Sequence, residues 1–149
     1  SRRQRQMCIR DRASAFREEL KADEVLITAD TVVCIHDRIL GKPADRKEAI
    51  SMLRELSGNR HLVVTGVSVT TRTEQLSFSS RTDVFFKHLS NEEIIFYVDT
   101  YKPFDKAGAY GIQEWIGYIG IERIEGSFYN VMGLPIQKLY ETLRKLQFQ

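Results

Sequence analysis

The chain has 149 residues, of which 42% are hydrophobic and 28% are charged, a composition typical of one globular domain with a core of ordinary size. We expect neither a membrane-spanning helix nor a signal peptide, because there is no apolar run of about 18 residues and no apolar stretch after the basic start. Cys8 and Cys34 lack metal-ligand spacing and form no disulfide framework, so a reducing cytoplasm is the expected compartment.

The net charge of +2 is concentrated at the start of the chain. The first twelve residues carry five Arg and one Asp, whereas the rest of the chain has 17 basic and 19 acidic residues. The body of the protein is therefore not a basic nucleic-acid binder. We predict that residues 1–12 are a non-native or disordered Arg-rich segment and that residues 13–149 form a single domain.

The first predicted elements are a helix and a short strand. Residues 13–22 combine good helix propensity with helical spacing of apolar side chains. Residues 25–27 are an apolar run too short for a helix, which predicts a buried strand, and Asp30 and Thr31 follow it. Because open α/β sheets bind ligands beyond the carboxyl ends of their strands, Asp30 is the first candidate for chemistry. The same Asp-Thr pair is also typical of a turn or a helix cap.

Two extended pieces come next, over residues 32–35 and 39–43, with residues 36–38 as a turn between them. If the two pieces pair as a hairpin, Lys42 returns towards Asp30. A carboxylate, a hydroxyl and an ammonium would then converge on one crevice. Such a set suits a metal-bound phosphate ester or anhydride.

The middle of the chain predicts two helices with a long hairpin between them. The first helix covers residues 45–57, with a capping box at its start and a glycine stop after its end. Residues 62–71 and 75–87 alternate with a period of two and are rich in β-branched residues, which predicts strands. The second helix begins after Ser90, which opens another capping box.

Residues 101–113 break this regular pattern. Asp105, Lys106 and Gln113 stand among glycines, which let backbone approach a ligand closely. We therefore predict a functional loop. A solvated loop with a chance Asp-Lys pair is the alternative.

The end of the chain predicts a strand over residues 119–124, a turn-rich connector over residues 126–133 and a last helix opened by Pro135. The apolar stripe of that helix is assigned to the core. There is no Walker loop, G-x-G-x-x-G or G-x-S-x-G motif, which argues against common nucleotide kinases, dinucleotide dehydrogenases and serine hydrolases. Three isolated histidines receive no role: His36, His61 and His88.

Six stretches together resemble one family. They are ITADTVV (27–33), ILGKP (39–43), EAISMLRELSG (48–58), HLVVTGV (61–67), PFDKAGAYGIQ (103–113) and IEGSFYNVMGLP (124–135). From about residue 13 onwards, the chain resembles the Maf family of nucleoside triphosphate pyrophosphatases. The resemblance implies an α/β fold shared with inosine triphosphatases, an elongated mixed sheet flanked by helices with a nucleotide cleft. It also implies hydrolysis of a nucleoside triphosphate to the monophosphate and pyrophosphate with a divalent metal, Mg²⁺ or Mn²⁺.

The resemblance also implies catalytic roles. Asp30 would be the general base and would help to hold the metal. Lys42 and Lys106 would offset the negative charge that builds on the phosphates. Asp105 would hold the metal or orient Lys106.

For specificity, the resemblance points to Thr31 and Gln113, which would read the base or the ribose. In the family branch that acts on dTTP and UTP, Thr follows the catalytic Asp and the loop reads GIQ, as both do here. The implied partner is a nucleoside triphosphate, with no specific nucleic acid and no membrane. A cytoplasmic location is implied as well, and a homodimer is left open.

The start of the chain departs from the family pattern. Family members begin with a strand and a loop resembling A-S-x-S-P-R-R, which is expected to grip the phosphates. Residues 1–3 resemble the end of that loop but lie at about half the family's distance from Asp30, so the loop's arginines are not carried over to them. We therefore expect an N-terminally truncated chain with weakened turnover.

Two other functions remain as alternatives. The first is a catalytically weak, nucleotide-binding regulator of cell division that acts through a partner. The second is nucleic-acid binding through the Arg-rich start, which is weaker because the basic charge is confined to residues 1–12.

Overall fold

A computed structural model describes residues 10–146. Five strands form one sheet in the order β2-β1-β3-β4-β5, and each neighbouring pair is antiparallel. The strands are β1 (Leu26–Ile35), β2 (Arg38–Leu40), β3 (Arg60–Thr70), β4 (Gln75–Phe86) and β5 (Ile121–Glu125). The expected α/β fold with an elongated sheet flanked by helices is confirmed, but the expected mixture of parallel and antiparallel strands is not found within residues 10–146, where every strand pair is antiparallel.

Six α-helices and two short 3-10 helices, Arg17–Glu19 and Ala107–Ala109, accompany the sheet in the described part of the chain, and the α-helices are numbered here. They are α1 (residues 10–16), α2 (Arg46–Leu56), α3 (Asn91–Tyr101), α4 (Trp115–Gly120), α5 (Phe128–Met132) and α6 (Ile136–Lys145). The capping residues predicted for α2 and α3 are confirmed: Asp45 accepts a hydrogen bond from the Glu48 amide, and Ser90 forms a reciprocal capping box with Glu93. The predicted helix over residues 13–22 extends only to residue 19, because Leu20 adopts an extended backbone.

Strand β3 is the centre of the sheet. It pairs with β1 from Leu26↔Thr70 to Cys34↔Leu62 and with β4 along its whole length. Its valines at 63, 64, 67 and 69 are at most 4% exposed. Burial of each such side chain contributes about 1.5–3 kcal/mol, so β3 gives β1 a firm partner over nearly all of its length.

The apolar core consists of two clusters along the strands. The larger contains Val33, Val63 and Val84 and is covered by residues of α2 and α3. The smaller contains Val67 and Val69 further along β3, packed against residues of α6. The long strands are thus held at both ends by separate groups of side chains.

The predicted buried strand at residues 25–27 is only partly correct. Ile27 is 41% exposed, and the strand does not stop there but continues to Ile35. β1 remains extended because β3 pairs with it beyond residue 27. Asp30 therefore lies within a strand of an antiparallel sheet, opposite Gly66, and not beyond a strand end as predicted.

The C-terminal third contains more helix than the sequence predicted. Helix α4 occupies the start of the predicted strand at 119–124, which shifts β5 to Ile121–Glu125, and α5 lies inside the predicted connector. Both helices are short, with six and five residues, so their apolar periodicity is too brief to detect. In α6 the stripe is narrower than predicted, because Ile136 and Tyr140 are about half exposed.

Residues 1–9 lie outside the described residues, and residues 10–12 belong to α1. The assignment of residues 1–12 to a separate segment, and of 13–149 to one domain, stays a prediction. Between residues 10 and 146, no helix is both long and apolar enough to cross a membrane.

Candidate active site

A cavity of about 310 Å³ lies beside β1. The cavity falls at the lower end of the volume range of small-molecule sites. All six residues that the sequence selected line it, although they come from three separate segments: Asp30, Thr31, Lys42, Asp105, Lys106 and Gln113. We refer to this cavity as the cleft.

Asp30 enters the cleft from the middle of β1. It is exposed, and within residues 10–146 its carboxylate forms no ion pair with Lys, Arg or His. On one side β1 is held by β3, but on the other side β2 covers only Val33–Ile35. Within residues 10–146, β1 therefore has a paired strand beside Asp30 on one side only, and Asp30 lines the cleft.

Lys42 reaches the same cleft through the hairpin of β1 and β2. The turn is made by His36 and Asp37, whose φ values of 49° and 61° are those of a tight hairpin turn. The ladder ends with Val33 opposite Leu40, two residues before Lys42. The predicted return of Lys42 towards Asp30 is confirmed by their shared position in the cleft lining.

The loop over residues 102–114 is anchored to three parts of the fold. The Gly108 amide donates to the Gly41 carbonyl at 3.1 Å, which joins the loop to the hairpin. The Tyr110 hydroxyl is hydrogen-bonded to the His61 ring, and the Gly111 amide donates to the Tyr97 hydroxyl at 3.1 Å. A loop held at three places can position its charged side chains as precisely as a regular element.

Gly108 is required by its position. Its φ is +72°, and an added Cβ would lie 3.1–3.2 Å from three side-chain atoms of Val33. A larger residue would therefore meet both backbone strain and a clash with β1. The close approach brings the loop directly against the strand that carries Asp30.

Lys106 has two carboxylate neighbours in the loop. Its Nζ lies 3.6 Å from Asp105 Oδ2 and also 3.6 Å from Glu114 Oε1. The Asp105 side chain is 77% exposed, whereas that of Glu114 is only 19% exposed. Sequence reasoning missed Glu114, and the only available signal was its place directly after Gln113.

Thr31 is connected to the sheet by a chain of polar groups. Its Oγ1 lies 2.9 Å from Thr65 Oγ1, and the Thr65 hydroxyl donates to the Asn130 carbonyl at 3.2 Å. A hydroxyl has one proton, so Thr65 can only accept from Thr31. The Thr31 oxygen is consequently presented to the cleft as an acceptor.

Behind the cleft, His61 and Tyr110 form a buried pair. His61 is 2% exposed, and burial lowers its pKa to about 4. Burial likewise raises the pKa of Tyr110, which lines the cleft. Both groups are uncharged at neutral pH, so this pair neither attracts nor repels a phosphate through a net charge. The sequence assigns His61 no role, because it stands outside any metal-ligand spacing, and its hydrogen-bond partner is 49 residues away.

Comparison with known proteins identifies the family. The family model described as "Maf-like protein" matches residues 2–146. The chain belongs to the Maf family. Among its relatives, the "dTTP/UTP pyrophosphatase" of Bacteroides thetaiotaomicron is 58% identical over 137 residues, which cover 92% of this chain and 71% of the relative. Proteins with the same name from Porphyromonas gingivalis and Christiangramia forsetii are 58% and 47% identical, over 91% of this chain and 69% of each relative.

The Maf resemblance implies a divalent metal, and the carboxylates of the cleft are compatible with one. Asp30 and Asp105 both line the cavity. In the described part of the chain, no three His, Cys, Asp or Glu side chains are grouped as a complete metal site. Mg²⁺ is commonly held by one or two carboxylates together with substrate phosphates, and not by a cage of protein ligands. Two carboxylates therefore suit a cation that binds together with a nucleotide.

Proposed function

We propose that this chain hydrolyses dTTP and UTP to the nucleoside monophosphate and pyrophosphate. The observation that carries the proposal is the convergence of all six predicted residues in one cleft of a Maf-family chain. The names of three relatives, at 47–58% identity, support the substrate class.

In this proposal Asp30 is the general base. Its carboxylate is exposed to the cleft, and no Lys, Arg or His within the described residues neutralises it. It takes a proton from the water that attacks the α-phosphorus, and the bond from the α-phosphorus to the bridging oxygen breaks to release pyrophosphate. General base catalysis contributes typically 10²–10⁴-fold to the rate.

Lys42 and Lys106 supply the positive charge of the cleft. They approach from different segments, and the backbone hydrogen bond between Gly108 and Gly41 fixes those segments to each other. Ammonium groups held in place before the reaction stabilise charge that develops on the phosphates without reorganisation. A divalent cation, when bound through Asp30 and Asp105, supplies further neutralisation of phosphate charge.

Thr31 and Gln113 select the base. Thymine and uracil carry a ring N–H at position 3, whereas cytosine has an unprotonated nitrogen there. Because Thr31 faces the cleft as an acceptor, it pairs with the ring N–H and leaves cytosine unpaired. A site built for one hydrogen-bond pattern rejects analogues that lack it.

The regulatory alternative is not favoured, since the relatives are named as enzymes and the cleft retains every proposed catalytic group. We also propose a cytoplasmic location, in keeping with a nucleotide substrate. A homodimer and the absence of specific nucleic-acid binding stay predictions.

The test is pyrophosphate release from dTTP, UTP, CTP and 7-methyl-GTP with Mg²⁺ or Mn²⁺. The wild-type chain should turn over dTTP and UTP in preference to the other two nucleotides, and Asp30→Asn should lower kcat by at least about 10²-fold. Asp37→Asn is the matched control, because Asp37 lies in the hairpin turn outside the cleft and asparagine tolerates its positive φ.

Turnover in Asp30→Asn within about twofold of wild type would show that Asp30 is not the general base. An equal loss in Asp37→Asn would show that the hairpin, and not the Asp30 carboxylate, is at fault. Preference for CTP or 7-methyl-GTP would refute the assignment of the base.

A further inference from the structure

Glu114 is an acidic residue next to the cleft that the catalytic scheme does not use. Its Oε1 is out of contact with solvent and has no hydrogen-bond partner within the described residues. Burying a carboxylate oxygen is costly unless a partner compensates the loss of water. The charged group that offers compensation is the ammonium of Lys106, at 3.6 Å.

The backbone holds Glu114 in this position. Its amide donates to the Gly111 carbonyl at 3.0 Å and closes a turn, while the Gly111 amide is bound to Tyr97 on α3. The burial of Tyr97 raises the pKa of its hydroxyl, and the nearby Glu114 carboxylate raises it further.

The turn is packed directly against both charged side chains. A Cβ on Gly111 would lie 2.6 Å from Glu114 Oε1 and 2.9 Å from Lys106 Cε. The absence of a side chain at position 111 thus makes room for the two to meet. Such a close fit leaves the Lys106 stem few other positions.

Asp105 lies as close to the Lys106 ammonium as Glu114 does, but the two carboxylates differ in their surroundings. Asp105 is mostly exposed, so water screens its attraction, and it lines the cleft where a cation is proposed to bind. Glu114 is largely shielded from water and does not line the cavity. When Asp105 turns to a cation, Glu114 is the carboxylate that stays with Lys106.

We propose that Glu114 is a positioning residue that holds the Lys106 ammonium in the cleft for the phosphates of the substrate. The inference rests on the proposed function for its kinetic consequence, though not for the contact itself. Since Lys106 acts on charge that develops in the transition state, the loss of Glu114 should lower kcat more than it raises KM.

The kinetic test is a double-mutant cycle of Glu114→Gln and Lys106→Met. Glu114→Gln keeps the size of the side chain and removes its charge, and it should lower kcat on the order of tenfold with KM changed by less than about twofold. In the Lys106→Met background the same substitution should have no further effect, because its target is gone. Glu114→Asp should restore part of the rate. Glu122→Gln, an exposed glutamate on β5, is the matched control and should retain wild-type kinetics.

If Glu114→Gln lowers kcat by the same factor with and without the Lys106 ammonium, the proposal is overturned, since Glu114 would then act independently of Lys106. A wild-type rate in Glu114→Gln would overturn it as well. Lower activity that follows only from a smaller folded fraction, measured by circular dichroism, would also count against it.

A second measurement does not depend on turnover. Acetylation of lysines by a limiting amount of acetic anhydride, followed by mass spectrometry, reports how firmly each ammonium is held. Glu114→Gln should speed the labelling of Lys106 several-fold and leave Lys42 unchanged. Unchanged labelling of Lys106 would refute the positioning role even if the enzyme is active. Altered labelling without turnover of any nucleotide would sustain the contact and refute the proposed function.

Discussion

The buried His61 makes the stability of the fold depend on acid in a predictable way. Its ordinary pKa of 6.5 falls to about 4 in the folded chain because burial disfavours the charged ring. Between these two values, the unfolded chain binds a proton that the folded chain does not. The contribution of the neutral His61 ring to the free energy of unfolding is therefore complete above pH 6.5. This contribution is lost as the pH falls towards 4.

The size of the effect follows from the two pKa values. Linkage gives a loss of about 2 kcal/mol between pH 7.5 and pH 5, and a limit of about 3 kcal/mol below pH 4. In His61→Gln, which cannot be protonated, this part of the loss should disappear. At neutral pH the variant will be less stable than wild type, because the ring of His61 stacks on Phe86 and contacts Tyr110.

Urea unfolding at pH 7.5 and pH 5, followed by circular dichroism, provides the measurement. The difference in unfolding free energy between the two pH values is compared for wild type and variant, so that destabilisation common to both pH values cancels. His88→Gln, at an exposed position, should keep the full wild-type difference. If His61→Gln loses as much stability on acidification as wild type, then His61 is not held as a neutral ring and the account of its burial fails.

Two more substitutions test the supports of the cleft. Gly111→Ala should lower kcat/KM by at least about tenfold in the pyrophosphate assay, because its methyl would displace Glu114 or Lys106. Gly41→Ala, whose added Cβ meets no atom within 4 Å, should lower kcat/KM less than Gly111→Ala does. An equal decrease of kcat/KM in the two variants would argue against the steric explanation. Asn130→Ala should lower the free energy of unfolding by about 2–4 kcal/mol in urea titrations, because the buried amide bonds to the carbonyls of Val63 and Ser80. A loss below about 1 kcal/mol would show that those carbonyls find other partners.

Much of the fold could be predicted from local patterns. The β-branched residues of β3 and the capping residues of α2 and α3 are signals contained within a few residues, and those elements lie close to where the sequence places them. The convergence of Asp30, Lys42 and Lys106 could be inferred from a hairpin and from a resemblance that covers most of the chain.

What could not be predicted depends on contacts between distant segments. The sequence pattern places Asp30 beyond a strand end, because residues 25–27 look like a complete strand. Pairing with β3 extends β1 past those residues. The role inferred for Glu114 depends on a turn at Gly111, and the burial of His61 depends on Tyr110. Glu114 lies just outside the stretches that carry the family resemblance, and nothing in the HLVVTGV stretch indicates that His61 is buried against Tyr110.

A backbone hydrogen bond joins the segment that carries Lys42 to the loop that carries Lys106. The hydrogen bond from Gly108 to Gly41 uses backbone atoms at both ends, so a substitution at position 42 or 106 removes neither its donor nor its acceptor. The spacing of the two cationic segments is therefore independent of the identity of residues 42 and 106. Charge and hydrogen-bonding pattern can therefore be exchanged at those positions without loss of the backbone link that joins the two segments.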